Sequence, residues 1–593
     1  MKKLLLGYLI ISSLLLVSCK NDLKPEQNLS VKNVMDDVIT RLYKQVAPDQ
    51  YNTIDDAFML NFLSEKEKKV LATKYQYFKV NVPVIVSLMR DVKQPTIPFW
   101  LEESGFKNTG KTVKNEVFEY EVWQKEFEAG CVNLGIPGFD MDRTIYFITV
   151  GVKNKGDELE ITDRYPSKYS LEVMKKGAFT YHDWDGLKIT EFPSEMEGQI
   201  LFTTVRGRAR EAHVEGAFRK TKFPSSKIPD QILLTWSKDP VNSVDIQWRT
   251  NTEIKNGMVK YWIKGKSDTI TTSAEKSVME DRMLFNDRYV NRFIAFLENL
   301  TGGTTYEYKV GSQKSNSWSD VRDFKTEAKD QKKFSFIWFG DTHRDPKWGE
   351  MLQEANKRHP EVAFYSIVGD VVSTGLYRTD WDMLFGYSKK VFSHKPLMAF
   401  PGNHDRQDGL GTWMYYQIFS LPKNGPEKVH PESTYAFEYG NALFLMIDST
   451  HPMEDQTEWI EDQLKNTKAI WKFVMFHFPP YNFEEPYFEY QKEWIPIFDK
   501  YHVDMVMSGH IHYYMRSKPM NNGKVVESHK NGTVYTISIG TTSRQRDIGE
   551  EPYAEVRFSE GQFYQHMLID KGVLKYTTYN KAGKIVDHFT IKK

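Results

Sequence analysis

The sequence predicts a multidomain protein in which an α+β segment, an all-β sandwich and an α/β-layered domain follow one another. A chain of 593 residues exceeds the size of a single compact core, so two to four domains are expected. Helical and strand-like patterns mix over residues 28–222, short strands separated by turns occupy 226–328, and apolar strands alternate with helices over 330–548. Residues 549–593 are predicted to add strands that complete the last domain.

The first residues are predicted to be an export signal. Two lysines precede the apolar stretch Leu4–Val17, which is too short to span a bilayer comfortably. The stretch runs into Leu-Val-Ser-Cys, which resembles the bacterial lipobox, so Cys19 is the expected lipidation site; a plain secretory signal with an incidental cysteine is the alternative. We therefore predict a signal peptide over residues 1–18 and a tether over 19–27. Lys20 favours an outer-membrane lipoprotein facing the periplasm or the cell surface.

The charge balance gives no sign of a polyanionic partner. The chain has 79 basic and 79 acidic residues and a formal net charge of zero. A neutral chain is not expected to bind a nucleic-acid polymer or to lie generally against an anionic membrane face. Selectivity for anions must therefore be built locally, and no obligate protein partner is evident.

Residues 28–222 are predicted to form a mixed domain of unknown role. Ser64 and Glu67 have the spacing of a capping box at the start of a helix. Valines alternate over Val80–Val86, which is the period of a half-buried strand, and Pro83 favours an edge position. Three tryptophans could line a glycan or ligand surface, although isolated tryptophans more often belong to a core: Trp100, Trp123 and Trp184.

Residues 226–328 have the strand spacing of a sandwich of about 100 residues. From Pro229 the sequence reads PDQILLTWSKDPVNSVDIQWRT, and it later contains LENLTGGTTYEYKVGS and DFKTEA. These segments resemble the fibronectin-III-like N-terminal domain of purple acid phosphatases.

In the α/β domain, polar residues follow the strand-like runs, where function is expected in such folds. Five of the chain's 15 histidines lie at these strand ends, and scattered core histidines do not explain their ordered recurrence. The carboxylates, the amide and the imidazoles suit Mn, Fe or Zn rather than Ca. In chain order the residues are Asp341, His343, Asp370, Asn403, His404, Asp405, His477, His510 and His512.

The ordered set D-x-H, G-D, G-N-H-D, H and G-H-x-H resembles the calcineurin-like metallophosphoesterases over residues 334–545. This resemblance implies a four-layer α/β sandwich holding two divalent metal ions, with a metal-bridging hydroxide as the nucleophile. It also implies that Asp370 bridges the two ions. The other implied ligands are Asp341, His343 and His512 for one ion, and Asn403, His477 and His510 for the other.

The same resemblance makes His404 a proton donor or transition-state stabiliser and makes Asp405 the residue that orients its ring. Protonation of the leaving oxygen could contribute about 10²- to 10⁴-fold. Three arginines follow the site motifs and could contact phosphate, although a solvated or structural role fits each equally well: Arg344, Arg406 and Arg516.

The expected activity is hydrolysis of phosphate monoesters by an exported, lipid-anchored enzyme, with a phosphorylated small molecule or glycan as substrate. One alternative is a phosphodiesterase acting on nucleotides, phospholipid head groups or phosphorylated glycans. Another is a surface glycan-binding protein with a vestigial phosphoesterase domain. The site motifs do not distinguish a monoesterase from a diesterase, because both classes use the same ligands.

The sequence departs from purple acid phosphatases at the ferric ligand. Those enzymes place a tyrosine three residues after the bridging aspartate, where this chain has Ser373, and they have aspartate at the position of His343. We therefore predict a metal centre with little or no colour. An absorption spectrum of the purified, metal-loaded protein checks this, and a strong tyrosinate charge-transfer band would contradict it.

Overall fold

The computed structural model describes residues 29–139, 145–167, 171–180, 187–204, 206–406, 412–484, 487–542 and 548–593. The predicted signal peptide, the tether with Cys19, and Trp184 lie outside these residues. The chain divides into two compact units, 1–215 and 216–593. The division falls a few residues before the predicted domain end at 222, because Arg219 already pairs with Asp281 of the sandwich at 2.7 Å.

The N-terminal unit combines helices with antiparallel sheets. Its described helices are α1 (Val31–Gln45), α2 (Asp56–Phe62), α3 (Glu65–Thr73) and α4 (Phe99–Glu103). Its described strands are β1 (Gln76–Val80), β2 (Val84–Asp91), β3 (Lys107–Asn115), β4 (Glu119–Phe127), β5 (Gly130–Leu134), β6 (Phe147–Val152), β7 (Ile161–Tyr165), β8 (Leu171–Val173), β9 (Ile189–Glu191) and β10 (Ile200–Phe202). One sheet has the order β5-β1-β7 and the other has the order β8-β10-β6-β2-β4-β3-β9.

In this unit, a local feature was predicted correctly, whereas the position of a strand within its sheet was not. Ser64 and Glu67 form the predicted capping box at the start of α3. The predicted strand Val80–Val86 is instead two strands, β1 and β2, which belong to different sheets and are separated at Pro83. The edge position predicted from Pro83 is wrong, since β2 lies between β6 and β4. The proline precedes the strand and therefore removes no ladder hydrogen bond.

The second unit begins with the predicted β-sandwich. Its strands are β11 (Asp230–Thr235), β12 (Val244–Asn251), β13 (Met258–Ile263), β14 (Ile270–Ser273), β15 (Glu275–Glu280), β16 (Tyr289–Leu297), β17 (Thr305–Ser312), β18 (Ser317–Trp318) and β19 (Arg322–Lys325). One sheet has the order β11-β12-β16-β15. The other has the order β14-β13-β17-β18, with β19 also paired to β17.

The remainder of this unit is the α/β domain. Its described helices are α5 (Pro346–Arg358), α6 (Arg378–Ser388), α7 (Asn403–Arg406), α8 (Trp413–Ile418), α9 (Thr457–Asn466), α10 (Phe488–Glu493) and α11 (Ile495–Lys500). Its first strands are β20 (Lys333–Phe339), β21 (Phe364–Val368), β22 (Leu397–Phe400), β23 (Tyr435–Tyr439), β24 (Ala442–Ile447), β25 (Trp471–Phe476), β26 (Met505–Ser508) and β27 (Tyr514–Ser517). The others are β28 (Met520–Asn521), β29 (Lys524–Val525), β30 (Val534–Ile537), β31 (Ala554–Phe558), β32 (Phe563–Asp570), β33 (Val573–Asn580) and β34 (Ile585–Lys592).

Two mixed sheets face each other and form the centre of the predicted four-layer sandwich. Their orders are β22-β21-β20-β32-β33-β34 and β23-β24-β25-β26-β30-β27-β31. Phe336 of the first sheet contacts Phe444 and Phe473 of the second, with ring centroids 5.1 and 5.8 Å away. Trp348 of α5 packs against Phe339 on the outer face of the first sheet. Helices α9 and α11 contribute buried residues to the core on the outer side of the second.

The parallel strands β20, β21 and β22 of one sheet and β24, β25, β26 and β30 of the other place several carboxyl ends in one region. The C-terminal strands β32 to β34 complete the first sheet, because β32 pairs antiparallel with β20. Among the described residues, no helix is long and apolar enough to cross a membrane.

Candidate metal centre

The predicted ligands come together where the parallel strands end. Within the described residues, several groups of side chains bring their ligand atoms within 4.8 Å of one another. Three of these groups consist of predicted site residues and share members, so they form one continuous centre. They are Asp341 with His343 and His512, Asp370 with His477 and His510, and His343 with Asp370 and His404.

The first group converges on the Asp341 carboxylate at the end of β20. His512 Nε2 lies 3.0 Å from Asp341 Oδ2, and His343 Nε2 lies 3.3 Å from His512 Nε2. The other carboxylate oxygen of Asp341 accepts the backbone N–H of His510 at 2.7 Å. One oxygen therefore fixes the β26 loop, and the other faces the two imidazoles.

The second group is built around the Asp370 carboxylate at the end of β21. His477 Nε2 lies 3.2 Å from Asp370 Oδ2 and 3.0 Å from Asn403 Oδ1. The opposite ring nitrogen of His477, Nδ1, lies 2.8 Å from the Val368 carbonyl, which can only accept a hydrogen bond. With Nδ1 directed at this acceptor, Nε2 is the nitrogen that faces Asp370 and Asn403, and it would bind a metal ion once it has lost its proton.

Glycines beside the ligands leave room for the carboxylates. A Cβ atom at Gly402 would lie 2.3 Å from Asp370 Oδ1, and one at Gly509 would lie 2.2 Å from Asp341 Oδ1. At Gly369 the backbone is left-handed, with φ of 83°, and a Cβ atom would lie 2.5 Å from His477 Nδ1. Close approach of the carboxylates is therefore the constraint at Gly402 and Gly509, and the left-handed backbone is an additional one at Gly369.

Three site residues have left-handed backbone conformations that non-glycine residues rarely adopt. The φ angles are 46° at His343, 48° at Asp370 and 69° at His510. Each conformation costs on the order of 1–3 kcal/mol and persists only where its surroundings hold it. The Asp370 carbonyl provides part of that hold, because it accepts the N–H groups of Thr342 at 3.1 Å and His343 at 3.0 Å.

The electrostatic environment favours a cation between the carboxylates. Burial opposes the charged form of His477, but Asp370 and Asp341 outweigh it and raise the pKa of this imidazole to about 9. Burial would raise the pKa of Asp370, yet His477 and His404 hold it well below its usual value. Burial lowers the pKa of His343 to about 4, so its ring is neutral and available as a ligand.

His404 lies beside the first group, with its ring 4.8 Å from that of His343. Its Nδ1 lies 2.8 Å from the Ser373 carbonyl, which therefore orients the ring. This corrects the predicted role of Asp405, whose carboxylate instead accepts the backbone N–H groups of Val371 at 3.0 Å and Gly402 at 2.8 Å.

Asp405 is a loop-fixing residue. It also accepts the N–H of Val372 at 2.9 Å, so its two oxygens join the loops that follow β21 and β22. Burial and the neighbouring Asp370 charge raise the pKa of Asp405 to about 7, against the effect of these three hydrogen bonds. The residue therefore acts on the centre through the backbone around Asp370.

The three predicted arginines have different surroundings. Arg344 is the most open, with a side chain 53% exposed and Nη1 3.3 Å from the buried Asp380. Arg406 donates to the carbonyl of Thr450 and, at 3.0 Å, to its hydroxyl.

The structure does not support the phosphate contact predicted for Arg516. Its Nε and Nη2 donate to the two oxygens of Asp587 at 2.6 and 3.0 Å, and its guanidinium lies over the Phe589 ring. The ion pair is buried between β27 and β34, so the arginine has a structural role.

An aromatic wall beside His510 was missed in the sequence analysis. Phe478 meets the His510 ring edge to face at 4.7 Å and stacks on Tyr487 at 5.4 Å. The signal was present in the aromatic-rich stretch FPPYNFEEPYF that follows His477. The carbonyls of Val368 and Ser373, which fix two imidazoles, left no sequence signal because any residue type supplies a carbonyl.

Comparison with known families agrees with this geometry. Residues 229–326 match the family described as "Purple acid Phosphatase, N-terminal domain", and residues 334–514 match "Calcineurin-like phosphoesterase". The first match covers the β-sandwich, and the second contains every predicted metal ligand.

Curated relatives and solved structures point the same way. The chain is 24% identical over 324 residues to Fe(3+)-Zn(2+) purple acid phosphatase 12 of Arabidopsis thaliana, covering 50% of this chain and 67% of that protein. It is 23% identical over 329 residues to a purple acid phosphatase of Glycine max, covering 50% and 68%. Purple acid phosphatase PPD1 from yellow lupin superposes with a TM-score of 0.55 at 14% identity, covering 88% of this chain and 91% of that one, which shows a shared fold.

The fold and the convergent ligand set define a metal-dependent phosphoric ester hydrolase. Residues 334–514 match the calcineurin-like phosphoesterases, and the sandwich that precedes them gives the chain the domain architecture of purple acid phosphatases. The predicted class of enzyme and the predicted fold are thereby confirmed.

We predict that Gly402→Ala disrupts the centre. The added Cβ would lie 2.3 Å from the Asp370 carboxylate and 2.4 Å from its backbone nitrogen, so one of the two loops must move. A cost of about 1–3 kcal/mol in unfolding free energy is expected, with loss of bound metal and activity. Urea denaturation and metal analysis measure both.

Gly549→Ala is the matched control, because the nearest atom to its Cβ would be 3.9 Å away. Equal metal content in the two variants would contradict the steric argument.

Proposed function

We propose that the protein hydrolyses phosphate monoesters at a dinuclear metal centre. The observation that carries this proposal is the sharing of Asp370 between groups of ligand atoms within 4.8 Å of one another. A shared carboxylate flanked by imidazoles on both sides is the arrangement expected for two adjacent ions. Hydrolysis at such a centre needs no covalent phosphoenzyme.

The residues fit two ions of Mn, Fe or Zn. Carboxylate, amide and imidazole donors suit these metals, and His477 directs Nε2 inward because Nδ1 faces a carbonyl. When bound, two such ions would activate water and stabilise charge on the phosphoryl group. Asp370 would be shared; the other ligands would be Asp341, His343 and His512 for one ion, and Asn403, His477 and His510 for the second.

His404 is the residue we assign to proton transfer. Its Nδ1 faces the Ser373 carbonyl at 2.8 Å, and this acceptor holds the ring through a single nitrogen. Nε2 is then the nitrogen from which a proton would pass to a leaving oxygen. The Arg344 guanidinium, one residue from His343 and half-exposed, is the candidate contact for the phosphate oxygens.

The substrate proposal is a phosphorylated small molecule or glycan, reached by an enzyme that Cys19 anchors in the bacterial outer membrane. The lipobox-like sequence supports the anchor. Trp100 and Trp123 do not support a glycan-binding role for the N-terminal unit. Both are buried, and both donate their N–H groups within the unit.

A direct comparison of p-nitrophenyl phosphate with bis-p-nitrophenyl phosphate tests the monoester assignment. We expect the monoester to be hydrolysed faster at equal metal loading. Faster hydrolysis of the diester would replace the proposal with a phosphodiesterase that acts on nucleotides, phospholipid head groups or phosphorylated glycans.

We predict that His404→Ala lowers kcat by about 10²- to 10⁴-fold while the metal content stays unchanged, since the side chain donates a proton and holds no ion. Steady-state kinetics and metal analysis of the same preparation provide the two readouts.

Asp370→Asn is the contrasting variant, and it should lose metal and activity together. His394→Ala is the matched control, because that imidazole is paired with Asp323. Loss of a metal ion from His404→Ala would make His404 a ligand and end the assigned division of roles.

A further inference from the structure

A second cluster of metal-binding side chains lies outside the catalytic centre. His359, which ends α5, Glu361 and His566 of β32 bring their ligand atoms within 4.8 Å of one another. No predicted site residue belongs to this cluster. His566 pairs with Ile337 in the sheet, four residues before Asp341, so the cluster lies about 13 Å along the strand from the centre.

The spacing of the donor atoms is close to what a zinc ion requires. His566 Nε2 lies 3.3 Å from Glu361 Oε1, and His359 Nδ1 lies 3.8 Å from the same oxygen. Ligands at about 2.0–2.1 Å from a tetrahedral Zn²⁺ are about 3.4 Å apart. A contraction of a few tenths of an ångström at His359 would bring both nitrogens within range.

The histidines are buried, and both direct a ring nitrogen at the same carboxylate. His566 is 9% exposed, and its Nε2 lies 3.3 Å from Glu361 Oε1. Two buried imidazoles beside one carboxylate are donors that a zinc ion can use.

The surroundings of His359 orient it toward the same point. His359 is 7% exposed, and its Nε2 lies 3.4 Å from the Tyr564 hydroxyl. With Tyr564 accepting the Nε2–H, Nδ1 carries the lone pair that faces Glu361, as in imidazoles whose other nitrogen is fixed by a neighbour.

The rings require one adjustment. Those of His359 and His566 lie almost parallel, at 13° with centroids 4.1 Å apart. Binding of one ion by both nitrogens requires one ring to turn out of this stack about its Cβ–Cγ bond, a torsion that is soft for histidine. Glu361, with its side chain 55% exposed, can follow the ion and leaves the fourth position open to water.

We infer that His359, Glu361 and His566 form a zinc site that fastens the end of α5 to the C-terminal strand β32. Two imidazoles and one carboxylate are a zinc donor set, and the ion would join the two buried histidines to Glu361. The site is structural, because it lies between the end of α5 and strand β32 and shares no residue with the catalytic groups. It does not depend on the proposed phosphatase function.

Equilibrium dialysis of the full chain against buffered Zn²⁺, followed by zinc analysis, tests this inference. The variants are Glu361→Gln and His566→Gln, and His394→Gln is the matched control from outside both sites. Wild type and the control should hold one more zinc ion per chain than either variant, while phosphatase activity should be the same in all four proteins.

Equal zinc content in wild type and Glu361→Gln would overturn the site and leave the stacked histidines as a packing pair. Glu361→Gln decides the question if His566→Gln fails to fold, because the Glu361 side chain is half-exposed. A catalytic failure is distinguishable, since it would lower activity or zinc content equally in wild type and in the variants.

Discussion

The centre depends on the close packing of backbone against two buried carboxylates. Asp341 and Asp370 each direct one oxygen to a backbone N–H of another loop, that of His510 at 2.7 Å and that of His404 at 2.9 Å. Glycines at 402 and 509 make this approach possible, because a side chain at either position would occupy the space of a carboxylate oxygen. The aspartates therefore assemble the loops and also present donor atoms to the centre.

Asp405, which lies behind the ligands, also fixes loops through hydrogen bonds to backbone N–H groups. Its carboxylate binds three backbone N–H groups from two loops and is completely buried. Two sets of hydrogen bonds hold the left-handed backbone at Asp370. Asp405 accepts the N–H groups of the next two residues, and the Asp370 carbonyl accepts N–H groups from the loop after β20. The strain of that conformation is thus balanced by contacts that exist only in the folded domain.

Much of the site could be predicted from the sequence because its ligands recur at equivalent places, namely after successive predicted strands. Ligands follow successive strands, and His510 and His512 have the spacing that places both near one end of β26. The incorrect predictions concern residues whose partners lie far away in the sequence or are backbone groups. Arg516 pairs with Asp587, 71 residues later, and Asp405 binds backbone groups that any sequence would supply.

The fold of the N-terminal unit shows the same limit. The capping box at Ser64 involves neighbours in sequence and was predicted correctly. The position of β2 in its sheet depends on strands β4 and β6, whose pairing the sequence of β2 does not specify. Buried Trp100 and Trp123 follow the general preference of tryptophan for a core.

The local field explains how a chain with no net charge can act on phosphate. Two buried carboxylates raise the pKa of His477 to about 9, so the centre by itself attracts cations and would repel a phosphate dianion. Two divalent cations would outweigh the two carboxylates and reverse the sign of that field. The potential at the centre, negative enough to attract the ions, would thus become positive toward the substrate once they are bound. Because the chain as a whole has no net charge, attraction of phosphate would depend on this centre alone.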